Sequence, residues 1–325
     1  MLQPGDKVSV LIPLKKLNGY VSECLEALKA QTYRNFDVYV VTDEPESIAD
    51  VGDLAVHFVA SGPVPPNIKR MMAAKASDAP LVALIDDDAY PVAGWLEAAV
   101  KHFAQANVVG VGGPGITPPN DGPSQQTSGA VYASPLVSAG YTYRYLPAPA
   151  REVDDQPSCN LILRRDLFLK HVPSCLRYWP GEDTKLCMLL TKTEGMRIMY
   201  DPQVAVFHHR RQMVWGHFRQ IWNYAVHRGF FAKRYPETSL RAAYFVPSAF
   251  LLGNVAFVVF LAYQPARAPL LALAGVYVSA VVLSALGSRR SHRANPLAVS
   301  FGIYFTHLTY GLGFLLGLLR PELDH

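Results

Sequence analysis

The sequence predicts an α/β domain with a mostly parallel sheet, followed by a C-terminal helical membrane domain of about three transmembrane helices. Three observations predict it. Through about residue 112, short apolar runs of strand length alternate with stretches of helical periodicity. Beyond residue 242, three long runs contain no Asp, Glu, Lys or Arg. Between the two regions, from His208 to Arg241, seven Lys and Arg residues stand against one acid, Glu237. That block runs straight into the apolar segments, so it suits anionic headgroups and not nucleic acid.

The elements follow in order. Residues 7–13 (KVSVLIP) read as a buried strand. Val21, Cys24, Leu25 and Leu28 fall at i, i+3, i+4 and i+7, the spacing of one helical face. Residues 37–42 (DVYVVT) and 54–60 (LAVHFVA) are the next two strands. The turn SGPVPPN leads into a helix near Ile68–Ala76. LVALI (81–85) is a strand that runs into three carboxylates, Asp86, Asp87 and Asp88. Pro91 is expected at the favoured first position of a helix that carries Trp95, Leu96, Ala99 and Phe103. VVGVG (108–112) is another strand. Alternating strands and helices imply a sheet covered on both faces.

Residues 113–157 have little periodicity and many Gly, Pro, Ser and Tyr residues. They are expected to form a long functional or mobile loop. SCNLILRRDLF reads as a short strand and turn, and residues 182–193 as a helix. RIMYD and QVAVFHH are short strands split by Asp201-Pro202.

Trp215, Phe218, Ile221, Trp222 and Ala225 share a helical face. This helix either lies in a membrane interface or packs on the globular domain. The apolar runs are 243–263, 270–287 and 297–319, with 21, 18 and 23 residues. The loop SRRSHRANP carries Arg289, Arg290 and Arg293, which places it in the cytosol. Three spans leading from a cytosolic domain return the same loop to the cytosol, so charge bias and span count agree. Arg267 is expected in the outer loop. The N-terminus shows no charged segment followed by a long apolar stretch, so no signal peptide is expected. The divisions are residues 1–212, the α/β domain; 213–241, the basic amphipathic region; and 242–325, the transmembrane domain. The four cysteines are scattered without a CxxC pair, which indicates reduced thiols and neither a zinc site nor a disulfide framework.

In an open α/β sheet, ligands bind beyond the carboxyl ends of the strands. Asp86 to Asp88 sit there. In an extended segment Asp86 and Asp88 point to one side and Asp87 to the other. Two carboxylates on one side suit Mg²⁺ or Mn²⁺ shared with a substrate's phosphates. A solvated acidic turn would explain the triplet alone equally well.

The wider pattern resembles the family 2 glycosyltransferases, enzymes of the GT-A fold that use nucleotide-diphosphate sugars. Val8-Ser-Val-Leu-Ile-Pro13, Gln31-Thr-Tyr33 and Phe36-Asp-Val-Tyr-Val-Val look like the family's opening strand–helix–strand. GPVPPNIKRMMAAKASDAPLVALIDDDAYPVAGWL resembles its central block. Pro180-Gly-Glu-Asp-Thr184 looks like its Glu-Asp motif, and Asp201-Pro-Gln-Val-Ala-Val-Phe-His-His-Arg like the segment ending in a histidine near the metal. The resemblance covers about residues 7–235. The chain departs from the pattern at Leu14-Lys-Lys-Leu-Asn18, where Asn-Glu is usual, at Val-Thr-Asp43-Glu-Pro, and at Met71. These departures bear on the donor nucleotide.

The resemblance implies roles. Pro13, Asp43, Lys69, Arg70, Asp86 and Asp87 would contact the donor. Asp86 and Asp88, with His208 or His209, would hold Mg²⁺ or Mn²⁺. Asp183 would be the general base, supported by Glu182; a capping pair on the following helix is the bland alternative. Asn160 and Arg164, with neighbouring Cys159 and Arg165, would border the acceptor. The implied activity is inverting transfer to a membrane-associated acceptor, polyprenyl-linked, in glycan or exopolysaccharide assembly. A multi-pass cell-membrane protein with a cytoplasmic catalytic domain is expected. The alternatives are a synthase acting on a bare polyprenyl phosphate and a non-catalytic membrane scaffold. A processive polysaccharide synthase is disfavoured, because its Gln-x-x-Arg-Trp motif is absent: Gln212-Met-Val-Trp215 lacks the Arg.

Overall fold

The structure, a computed structural model, describes residues 5–323. The chain opens with β1 (Val8–Pro13), α1 (Gly19–Lys29), β2 (Phe36–Thr42), β3 (Val56–Ala60) and α2 (Pro66–Ala76). It continues through β4 (Leu81–Ile85), β5 (Ala89–Pro91), α3 (Trp95–Val100), β6 (Val108–Gly112) and β7 (Gly115–Ile116). Then come α4 (Pro123–Ala133), α5 (Pro135–Ser138), β8 (Arg151–Val153), β9 (Asn160–Arg164), α6 (Arg165–His171) and α7 (Glu182–Met188). The last strands are β10 (Arg197–Tyr200) and β11 (Val206–His208). The remaining helices are α8 (Trp215–Arg234), α9 (Pro236–Ser239), α10 (Ala242–Phe260), α11 (Gln264–Gly287) and α12 (Pro296–Leu319).

Two compact units divide the chain. The first takes the residues through Ile116 together with Leu146–His208; the second takes Thr117–Tyr145 and the residues from His209 onward.

The first unit holds an eight-stranded sheet in the order β3-β2-β1-β4-β9-β6-β10-β8. The pairs β3/β2, β2/β1, β1/β4 and β6/β10 are parallel. The segment read as a short strand and turn, β9, is a central strand, antiparallel to both β4 and β6. β1, β4 and β6 are buried at every residue. That is why β4 and β6 read as unbroken apolar runs, and β1 as one broken only by Ser9, and not as alternating ones. Val21, Cys24, Leu25 and Leu28 form the buried face of α1. A second sheet, β5-β11-β7, is small.

Two expectations change here. Pro91 closes β5, and the following helix begins at Trp95 after Gly94. Pairing with Val206 holds Pro91 extended, which outweighs its preference for a helix start. The segment 113–157 is not one structureless loop, because it contains α4. That helix is rich in Gly, Ala and Ser and buried at every residue from Gln126 to Ala133. A helix enclosed all round shows no amphipathic period.

In the second unit, three helices among the described residues are long and apolar enough to cross a membrane: Ala242–Phe260, Gln264–Arg290 and Pro296–Leu319. Many large side chains of α10 and α11 face outward, among them Val255, Val258, Leu273 and Leu283. Arg267 lies inside α11 and not in a loop, since Pro265 in the first turn starts that helix early. α8 buries His217, Ile221, Ala225, Gly229 and Phe230, and Trp215 is 88% exposed.

His217 is buried between two hydroxyls. Its Nδ1 is 2.8 Å from Ser128 Oγ and its Nε2 is 2.9 Å from Thr306 Oγ1. Burial, helped by nearby Arg210, lowers its pKa from 6.5 to about 3. The folded state therefore refuses a proton that the unfolded chain accepts. The resulting stability is complete above pH 6.5 and falls by about 1.4 kcal/mol per pH unit below it, until the folded group titrates. Thermal melts in detergent between pH 7.5 and 5 are expected to show this slope. His217→Gln, which can bond both hydroxyls without titrating, is expected to flatten it.

Candidate active site

The site forms where β4 ends and the small sheet begins. Asp86, Asp87 and Asp88 do not continue an extended strand. They make a turn closed by a 3.2 Å hydrogen bond from Ala89 N to Asp86 O. β11 then runs antiparallel to β5 and sets His208 across from Ala89. This pairing carries a histidine 120 residues away in sequence up to Asp88, with Nε2 at 3.1 Å from Asp88 Oδ1. Asp86, Asp88 and His208 offer ligand atoms that all lie within 4.8 Å of one another.

The donor set fits a divalent cation. Two carboxylates and an imidazole suit Mn²⁺ or Mg²⁺. Ligands about 2.1 Å from an octahedral ion lie about 4.2 Å apart when opposite, a spacing close to that of this group. Burial disfavours the protonated form of His208. The Cys159 thiol and Asp88 favour it more strongly and raise its pKa above the ordinary imidazole range. His209 is not in the group. Its Nδ1 lies 2.5 Å from Asp121 Oδ1, because the side chain after a strand's last residue points the other way.

Charge around the carboxylates is balanced by α2. Arg70 is buried, and its guanidinium pairs with Asp86 and reaches Glu182 Oε1 at 3.5 Å. It thus ties the turn after β4 to the start of α7. Lys69 is also buried. It pairs with Asp43 and donates to Leu14 O at 2.5 Å, so it orients Asp43 from within the protein. Asn18, which caps α1, donates to Asp87 Oδ2 at 2.9 Å. Pro13 is the buried last residue of β1.

Gly181, at φ 114°, turns the chain into α7 and leaves Glu182 and Asp183 in its first turn. Asp183 accepts from Thr184 N at 2.7 Å and from Ser158 N at 3.3 Å, so its carboxylate is held by backbone donors on both oxygens. Burial raises the pKa of Glu182, and repulsion from Asp183 adds to the shift; Arg70 works against it. Two adjacent carboxyls in unequal surroundings can divide the roles of proton acceptor and structural partner.

Asn160 and Arg164, expected beside the acceptor, bond to other groups of the protein in this structure. Asn160 is fully buried. It accepts from Trp95 Nε1 at 2.8 Å and donates to Val204 O at 2.7 Å and Pro114 O at 3.4 Å. Arg164 donates to the carbonyls of Val108, Phe103 and Gln105. A strand in the middle of a sheet offers its polar side chains only such interior partners. Asn160→Leu would strand several buried polar groups, at about 1–3 kcal/mol each. It is expected to lower the melting temperature while leaving acceptor KM unchanged in the folded fraction. Two partners escaped the sequence reading: Asp155, whose Oδ1 lies 3.2 Å from Thr184 Oγ1, and Cys159 as the neighbour of His208. No local spacing marks either.

A mixed α/β sheet with an Asp-x-Asp turn at its carboxyl edge is an architecture of the GT-A type. The family model described as glycosyl transferase family 2 matches residues 9–172, half of the 325-residue chain. The chain belongs to that family and is a glycosyltransferase. It is 24% identical over 245 residues to the glucosyl-dolichyl phosphate glucuronosyltransferase of Haloferax volcanii, covering 66% of this chain and 74% of the relative. In fold it resembles the mannosyltransferase PcManGT from Pyrobaculum calidifontis, solved with GDP-Man and Mn²⁺. That likeness has a TM-score of 0.54 at 17% identity and covers 96% of this chain and 86% of the other. GalNAc-T7, solved with UDP, GalNAc and Mn²⁺, is similar with a TM-score of 0.50 at 13% identity, over 73% of this chain and 52% of its own. The three apolar helices fit a membrane anchor.

Proposed function

We propose that the protein is an inverting, metal-dependent transferase that moves a sugar from a nucleotide diphosphate to a lipid-linked acceptor in glycan or exopolysaccharide assembly. The observation that carries this reading is the gathering of Asp86, Asp88 and His208 within 4.8 Å at the edge of a family 2 fold. A relative named for glucuronosyl transfer to glucosyl-dolichyl phosphate, and apolar helices fit for a membrane, support the lipid acceptor. On this reading residues 1–212 are the catalytic domain, 213–241 the interfacial region and 242–325 the membrane domain. The catalytic domain lies in the cytoplasm, on the side of Arg289, Arg290 and Arg293.

Asp86, Asp88 and His208 would hold Mn²⁺ or Mg²⁺, which when bound neutralises charge on the leaving diphosphate. Arg70 keeps the metal-side carboxylate in register with Glu182. Asp43, oriented by Lys69, and the loop after Pro13 would receive the nucleoside. Asp183 takes the proton from the acceptor hydroxyl as that oxygen attacks the anomeric carbon from the face opposite the leaving group. The backbone donors on Asp183 fix its direction.

The test is transfer by the full chain in lipid nanodiscs, with UDP-, GDP- and dTDP-sugars, polyprenyl-linked acceptors, and Mn²⁺ or EDTA. Metal-dependent release of one nucleoside diphosphate with a glycosylated lipid product is expected. No turnover, together with no Mn²⁺ binding, would favour a scaffold. A product formed on the bare lipid phosphate would favour the synthase.

A further inference from the structure

We propose that Lys15 and Lys16, on the loop that follows β1, bind the diphosphate of the sugar donor, an inference that rests on the nucleotide-sugar reading above. The fold sets that loop beside the metal-side carboxylates. β1 and β4 are parallel neighbours with Leu11 across from Leu84, so the chain leaves both strands at the same edge of the sheet. Carried on, that register sets Pro13 level with Asp86, and paired strands lie only about 4.8 Å apart. Hydrogen bonds then hold the loop at both ends. Asp43 N donates to Lys15 O at 3.0 Å. Leu17 N donates to Glu46 Oε2 at 2.6 Å, and Asn18 Nδ2 to Asp87 Oδ2 at 2.9 Å. On the reading above, the loop therefore runs from the nucleoside end of the site, at Asp43, to the diphosphate end, at the turn after β4. Within it Lys15 and Lys16 are exposed.

Charge assigns these lysines to an anion. Asp43, Glu44 and Glu46 follow β2 at this edge, and Asp86, Asp87 and Asp88 follow β4. The cations that α2 sets against them are already engaged, Lys69 with Asp43 and Arg70 with Asp86 and Glu182. The side chains of Lys15 and Lys16 form no ion pair among the described residues. A diphosphate that approaches so many carboxylates is repelled unless cations stand near it. Asp86, Asp88 and His208 would hold one on the side of β4, and the two lysines supply charge from the side of β1. A lysine is a point charge on a flexible stem, so it can follow phosphate oxygens without a fixed geometry. The diphosphate gains charge as the sugar leaves, so the same ammonium groups favour its departure.

The test is binding of UDP, GDP and dTDP, and of the matching nucleosides, to the full chain in phosphatidylcholine nanodiscs with Mn²⁺. Lys15→Gln with Lys16→Gln is expected to weaken the diphosphate that the wild type binds by about ten- to a hundredfold, and to leave its nucleoside unaffected. Each single variant should show a smaller loss, and the loss should shrink as salt is raised. Lys29→Gln, at the far end of α1 where the side chain pairs with Glu26, removes a positive charge elsewhere and should change nothing. Mn²⁺ binding without nucleotide and the melting temperature should hold in every variant. Unchanged diphosphate affinity in the double variant would overturn the proposal. So would an equal loss for the nucleoside, or an equal loss in Lys29→Gln. In each of those cases the wild type still binds a nucleoside diphosphate, and the transferase reading stands without the lysines. If the wild type binds none of the three diphosphates, the nucleotide-sugar reading itself fails and takes the proposal with it.

Discussion

Asp183→Asn is expected to lower kcat by about 10²- to 10⁴-fold while leaving donor KM and Mn²⁺ affinity near those of the wild type. The asparagine keeps the shape of the side chain. It can still accept from Thr184 N or Ser158 N through its one carbonyl oxygen, but it cannot take a proton. The metal-side group is a separate set of side chains, so a loss confined to kcat would assign proton removal to Asp183. Asp88→Asn and His208→Ala should show the opposite pattern. They should weaken Mn²⁺ binding, readable by electron paramagnetic resonance without any turnover, and lose transfer as a consequence. Full transfer by Asp183→Asn would remove it from the chemistry and leave it as a helix-capping residue. Glu182→Gln should act in a third way. Its carboxyl is buried against Arg70, so the change is expected to disturb both folding and the position of Asp86.

Gly317→Leu is expected to unfold or separate the helices of the second unit. α8 and α12 meet with their backbones almost in contact. A Cβ on Gly317 would stand 2.1 Å from Val226 O, and one on Gly229 would stand 2.1 Å from Phe314 O. The two glycines form a reciprocal close approach of the kind small residues allow between apolar helices. Backbone atoms cannot swing aside as a side-chain tip can, so even Gly317→Ala must move one helix against the other. Overpacking of this kind typically destabilises by about 1–3 kcal/mol for modest additions, and leucine adds much more than one methyl. Melting in detergent, followed by the fluorescence of the α8 tryptophans, should drop sharply for Gly317→Leu. Gly275→Ala on α11, where a Cβ meets nothing within 4 Å, should match the wild type. Equal melting temperatures for Gly317→Leu and the wild type would mean that the two helices do not cross as described.

The sequence by itself determined the parts whose signal is local. β4 and β6 are unbroken apolar runs, β1 and β2 are largely apolar, α1 repeats its buried residues at helical spacing, and α10 and α12 carry no Asp, Glu, Lys or Arg. Each pattern is complete within a few turns or strand residues, so neighbours in sequence suffice to read it. The positions of Asp86, Asp88 and Asp183 were legible for a similar reason: they stand in short motifs at predicted element ends. Tertiary structure decided the rest. It separated His208 from His209, because strand pairing with Ala89 selects one of two adjacent side chains. It enclosed Asn160 and set Arg164 against backbone carbonyls, because β9 proved to lie in the middle of the sheet. It gave Arg70 its two carboxylates, one 16 and the other 112 residues away. It made a helix of α4, whose burial on all sides erases any amphipathic trace. A partner brought near by the fold leaves no mark in the spacing of the residues that will meet it, because packing, and not sequence distance, sets which groups share a charge, a proton or a metal.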